Sequence, residues 1–207
     1  MSSMSEFNEY LKKAGIGKMQ PKWKRRPEIL LHPNIPKPLH GLAPRNILGQ
    51  SWWNKVRKEA YKSTDFHCIA CGVHKDAAKS RKWLEGHEVY EINYEAGLAR
   101  YMETVPLCNW CHSYIHDGRL KALLDANQID HMRYAAIIQH GDSVLNKAGM
   151  SKPNRRSRDQ EFVAKLLETD MPDWGDWRLE LDGELHPPKY KSYEEWFAHI
   201  SSSLDQE

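Results

Sequence analysis

Cys68-Ile-Ala-Cys71-Gly72 and Leu107-Cys108-Asn-Trp-Cys111-His112-Ser-Tyr-Ile-His116 contain every cysteine of this 207-residue chain. A Cys-x-x-Cys spacing lets two thiolates reach one ion from a single tight turn. Two such pairs make a tetrahedral set of four, the pattern of a structural zinc site. Gly72 suits the first turn because glycine tolerates positive φ. A redox motif would be one Cys-x-x-Cys beside a βαβ unit, and neither pair has that context. Disulfides belong to oxidising compartments, whereas the N-terminal stretch MSSMSEFNEYLKKAG lacks the apolar core of a secretory signal. No run of about 18 apolar residues is present, so no membrane span and no membrane partner are expected. The expectation is a soluble, cytoplasmic chain holding one zinc on Cys68, Cys71, Cys108 and Cys111.

Gly72 to Leu107, 36 residues, separate the pairs. Trp83 to Ile92 alternates and carries β-formers, which predicts a strand. Asn93 to Gly97 reads as a turn, and Leu98 to Leu107 as the returning strand. Asn109 to His116 starts a helix. The order is therefore cysteine turn, strand, strand, cysteine turn, helix. Before it, Ser51 to Lys62 predicts an amphipathic helix capped by Ser51, with Trp52, Val56 and Tyr61 on one stripe. After it, helices are expected at Leu120–Ala126, His131–His140, Ser143–Ala148 and Glu161–Glu168. A hairpin around Asp182-Gly183 and a last helix capped by Ser192 follow. A short helix is also expected within residues 1–20. Six prolines from Pro21 to Pro44 exclude regular structure between.

Charge is divided along the chain. Residues 1–62 hold 13 Lys/Arg against 4 Asp/Glu, and residues 159–207 hold 4 against 13. The basic third either faces phosphate or packs on the acidic tail. Lys22-Trp23-Lys24-Arg25-Arg26 is a basic cluster with an aromatic. It either tracks a nucleic-acid backbone with Trp23 on a base, or is a solvated arm with Trp23 tucked inward. Arg155 and Arg156 lie in a second basic stretch, 152–158. Eight tryptophans, nine tyrosines and a hydrophobic fraction of 40% exclude collagen-like, coiled-coil and strongly disordered classes.

Three histidines complete the central segment. His112 and His116, four apart, share one helix face and can hold one divalent ion. His87 lies on the preceding hairpin. An imidazole able to take a proton, opposite a metal able to hold phosphate oxygens, is the equipment for phosphodiester hydrolysis.

Cys68-x-x-Cys71-Gly72, Gly86-His87-Glu88 and Val105-Pro106-Leu107-Cys108-x-x-Cys111-His112-x-x-x-His116 resemble the zinc-ribbon form of the HNH endonuclease family, of the phage and bacterial type. The resemblance covers about 50 residues. It implies an α+β fold: a zinc-stabilised ββα-metal core at 51–118, after a basic Pro-rich arm at 1–50. A helical and hairpin region at 119–207 would pack on that core. It implies His87 as general base, His112 and His116 as ligands of a catalytic Mg²⁺ or other divalent ion, and the cysteines on zinc. The partner would be DNA, bound in part by Lys22, Lys24, Arg25, Arg26, Arg155 and Arg156. For a phage protein the compartment would be the host cytoplasm. Two positions depart from the family. Gly86 stands where many members carry a metal-binding aspartate, and Glu103 lines up with the asparagine that orients the base. The metal shell would then draw on Glu85, Glu88 or Glu103, or be missing. The alternative is a catalytically degenerate zinc fold that binds nucleic acid, or a protein partner through the acidic C-terminal region.

Overall fold

A computed structural model of the chain describes residues 23–151 and 171–204. The helices expected within 1–20 and at Glu161–Glu168 lie outside these residues, as do Lys22, Arg155 and Arg156. The fold is mixed α+β, with five helices and one four-stranded sheet among the described residues.

The alternating segment forms the two long strands the sequence predicts, β1 (Leu84–Asn93) and β2 (Leu98–Cys108). They pair antiparallel from Leu84↔Cys108 to Asn93↔Leu98, with a bulge between Val89 and Tyr90. Gly97, at φ 62°, closes the turn. The C-terminal hairpin joins the same sheet. β3 (Arg178–Leu181) runs parallel to β2, and β4 (Glu184–His186) returns beside it. Asp182 and Gly183, at φ 52° and 83°, make the connecting turn with both central residues left-handed, as an Asp-Gly pair favours.

Helix α1 (Pro44–Ser63) starts earlier than expected and bends at Gly49, φ 84°. Pro44 occupies its first turn, where a missing N–H is no loss. Trp53 and Ala60 are its buried residues after the bend, and Trp52, Val56 and Tyr61 are half-buried. Helix α2 (Asn109–Ile115) begins directly after Cys108, and α3 (Asp117–Asp125) follows. Two expected helices are one. His131–His140 and Ser143–Ala148 merge into α4 (His131–Asn146), because Gly141 does not end the helix but packs on Tyr114 of α2. Helix α5 (Tyr193–Leu204) is capped as expected, Glu195 N–H donating to Ser192 Oγ at 3.3 Å.

The stretch before α1 is built into the core. Arg26 N–H donates to Ile69 O, and Ile29 and Leu30 are buried with Leu84, Leu107, Tyr114, Ile115 and Ile137. A second core holds Leu39, Tyr90, Ala99, Trp177 and Leu179 under the other end of the sheet.

Candidate functional site

The first cysteine turn is shaped by its backbone. Gly72 N–H donates to Cys68 O, Cys68 N–H donates to Val73 O, and Gly72 sits at φ 79°. Ile69 N–H donates to Pro106 O, which ties this turn to the end of β2 and hence to the second pair. All four sulfurs lie within 4.8 Å of one another, and Cys71 Sγ is 3.8 Å from Cys108 Sγ. A tetrahedron with metal–sulfur bonds of about 2.3 Å has edges of about 3.8 Å. Four cysteines so placed, none in a disulfide, can bind a metal such as zinc. The neighbouring sulfurs of Cys108, Cys68 and Cys71, then burial, push the Cys111 thiol up, an electrostatic cost that a bound cation would offset.

The same construction brings the histidines together. Strand β1 carries His87, paired with Val105 three residues before Cys108. Helix α2 starts from Cys108 and presents His112, with His116 at its C-cap. Donor atoms of His87, His112 and His116 lie within 4.8 Å of one another. The ring centroids are 5.4 Å apart for His87–His112, 5.2 Å for His87–His116 and 4.7 Å for His112–His116.

Glu85 orients His112. Its Oε2 lies 2.6 Å from His112 Nδ1, and Asn109 Nδ2 donates to Oε1 at 3.0 Å. Burial alone would raise the Glu85 carboxyl, but the hydrogen bonds of His112 and Asn109, with the charges of His112 and Arg81, hold it down to about 2. A carboxylate on one ring nitrogen leaves the other, Nε2, to face an ion, the arrangement that orients histidine ligands in metal sites.

His87 is 3% exposed, and neither ring nitrogen has a hydrogen-bond partner among the described residues. Burial, then the neighbouring imidazoles of His112 and His116, depresses its basicity strongly. Burial and His112 likewise lower His116, to about 3. Buried ring nitrogens without partners fit a missing polar or metal neighbour.

The other candidates fall elsewhere. Glu88 follows His87 and so projects from the opposite strand face, where its carboxyl is raised by burial. Glu103 lies away from the cluster and accepts from Arg26 NH1 at 2.5 Å. Arg26 also contacts Glu28, so its charge is matched within the fold. Lys24 and Arg25 are exposed, and Trp23 is half-buried, its ring 5.6 Å from that of His67.

Three features had no signal of their own in the sequence. His32 takes the Tyr90 N–H on Nε2 at 2.9 Å, beside the bulge, and its ring is 5.1 Å from His87. His140 Nε2 lies 3.4 Å from Cys111 Sγ, beside the cysteine cluster. Finally, His112 and His116 open on a cleft of about 400 Å³ that is also lined by Arg81, Arg119 and Arg133.

No family model, curated protein or solved structure matches the chain. No helix among the described residues is long and apolar enough to cross a membrane.

Proposed function

We propose that the chain is a metal-dependent endonuclease of the HNH type, with a zinc-stabilised ββα-metal core, that hydrolyses DNA phosphodiester bonds. The observation that carries this reading is the convergence of His87, His112 and His116, with Glu85 behind His112 and with His112 and His116 opening on a cleft lined by three arginines. The order β1, β2, α2, with histidines facing each other across it, accords with a ββα-metal core.

Zinc held by Cys68, Cys71, Cys108 and Cys111 would fix the start of α2 against the hairpin. His112 and His116 would hold a divalent ion, which when bound would supply Lewis-acid stabilisation of charge on the phosphoryl oxygens. Arg81, Arg119 and Arg133 bind phosphate oxygens, and guanidinium matches them in pairs. His87, neutral because it is buried, accepts the proton of the attacking water. Imidazole donors suit first-row transition ions better than magnesium. Nicking is therefore expected with nickel before magnesium.

A second reading is a zinc-stabilised module that binds but does not cut. What favours it is the placement of His87: it lies behind the cleft wall with depressed basicity, and Gly86 offers no carboxylate beside it. The exposed Tyr193 and Phe197 on the acidic C-terminal region would then face a protein partner.

A plasmid-nicking assay with magnesium, manganese and nickel separates the two. The parent should nick. His87→Ala and His87→Asn should each lose about 10²–10⁴-fold in rate, the contribution of a general base. Both should keep one zinc per chain and the parent's DNA affinity. A parent that never nicks under any of these ions rejects the hydrolytic reading, as does a His87→Ala variant that nicks at the parent's rate.

A further inference from the structure

Trp83 stands just before β1, and 52% of its surface is exposed. It lines the same cleft as His112 and His116. The guanidinium of Arg81 lies over its ring, 5.2 Å from the centroid, and Arg81 also reaches Glu85 Oε1 at 3.4 Å. One side chain thus joins the indole to the carboxylate that orients His112. Arg119 and Arg133 are exposed in the cleft. An arginine–tryptophan pair anywhere else would be a surface cation–π contact. Here the indole sits within one cleft together with a histidine cluster and further guanidinium groups.

We infer that Trp83 stacks an unpaired base, while Arg81, Arg119 and Arg133 hold the adjoining phosphates. The substrate class of the site is then a single-stranded or locally opened nucleic-acid strand; this rests on the hydrolytic reading above. The step from indole to unpaired strand is geometric. Inside a duplex each base face is covered by its neighbours, and only edges show in the grooves. Stacking on a fixed indole needs a free face, which a single strand, an end or an extruded nucleotide provides. A base on Trp83 also sets the register of the chain, placing a phosphate beside His112 and His116.

The test is binding, measured with zinc-loaded full-length protein and no second metal added. The probe is a fluorescent oligonucleotide of about 12 nucleotides, as single-stranded DNA, single-stranded RNA, and DNA duplex. Trp83→Ala should weaken single-strand binding at least about five-fold, the lower end of what one stacked base contributes. Trp83→Phe should restore most of it, and duplex binding should stay within error of the parent. Trp83 dependence in either DNA or RNA supports the inference, and the stronger of the two names the sugar. Unchanged single-strand binding in Trp83→Ala, or an equal loss for duplex, overturns it. Zinc content and circular dichroism check that an exposed side chain was removed without unfolding. Nicking without any Trp83 dependence would reject the stacking site and leave hydrolysis standing. Trp83-dependent binding by a parent that never nicks would do the reverse.

Discussion

A Cβ built on Gly86 would lie 2.9 Å from Trp53 Cη2 and 3.2 Å from Thr104 Cγ2. The indole of α1 occupies the space an aspartate would need at this position, so the glycine is a packing choice and not an open vacancy. Gly86→Asp should therefore destabilise the chain and supply no ligand. Overpacking costs about 1–3 kcal/mol, which in a chain of this size lowers Tm by roughly 2–12 °C. Scanning calorimetry measures the fall, and nickel titration should show unchanged affinity. A variant as stable as the parent would mean Trp53 moves aside freely. The glycine itself is plain in the sequence, but its cause stands 33 residues away on another element and is not. His32 and His140 were equally opaque. Each acts on a group distant in sequence, a bulge amide and a cysteine sulfur, and no spacing rule links such pairs.

Elements defined by their own periodicity were legible, and elements defined by their neighbours were not. The alternation of Trp83 to Ile92 gave the first strand of the central hairpin, the return after the Asn93–Gly97 turn gave the second, and Asp182-Gly183 gave the other turn. The bulge at Val89/Tyr90 and the parallel pairing of β2 with β3 depend on partners that local pattern does not encode. Gly141 shows the same limit. As a local signal it ends a helix, yet α4 runs through it because α2 crosses there. A Cβ at Gly141 would sit 2.2 Å from Tyr114 Cδ2. Tyr114 cannot retreat easily, since it is 1% exposed and its hydroxyl donates to Asp142 Oδ1 at 2.6 Å. Helix propensity alone makes Gly141→Ala stabilising by about 0.5–1 kcal/mol. The crossing reverses the sign, and a loss of about 1–3 kcal/mol is expected from overpacking. Urea unfolding decides: a higher midpoint would show that α2 and α4 separate at little cost. Because α2 carries His112 and its C-cap His116, the same variant should also weaken metal binding by the histidine cluster.

Across the whole molecule the charge division is partly internal. Arg26 is matched by Glu103 and Glu28, and Arg100 by Glu180 and Glu91, while Lys37 lies over the rings of Tyr193 and Trp196. Lys24 and Arg25 remain exposed. Reversing these two to Glu should weaken DNA binding alike for all sequences and flatten its salt dependence, since fewer counterions are released. Arg26→Glu should instead lower stability, by setting a third carboxylate beside Glu103 and Glu28. If all three reversals weaken DNA binding equally and leave Tm unchanged, the internal pairing of Arg26 contributes nothing.

The cysteine cluster joins these parts. Cys68 and Cys71 belong to a turn bonded to Pro106 O, Cys108 ends β2, and Cys111 lies in the first turn of α2. One ion on all four would hold the hairpin, the helix and both histidines of that helix in a single frame. Structural zinc contributes about 10–16 kcal/mol in zinc-finger peptides, as much as the whole stability of an ordinary domain, about 5–15 kcal/mol. Removing it should therefore unfold the chain and not merely loosen it. Elemental analysis of pure protein should give one zinc per chain. A strong chelator should abolish the near-ultraviolet dichroism of the buried Trp177 and Tyr114 environment. Cys108→Ala should give an unfolded or insoluble product. His112→Ala is the control, because its ring lies outside the sulfur set: it should keep the zinc and the fold while losing the second metal. Cobalt substitution reads the ligands directly, through the sulfur-to-cobalt charge-transfer bands that thiolates give and imidazoles do not. A folded protein holding less than half an equivalent of zinc, or one whose Tm is indifferent to the chelator, would show that the four thiols are packed as core residues.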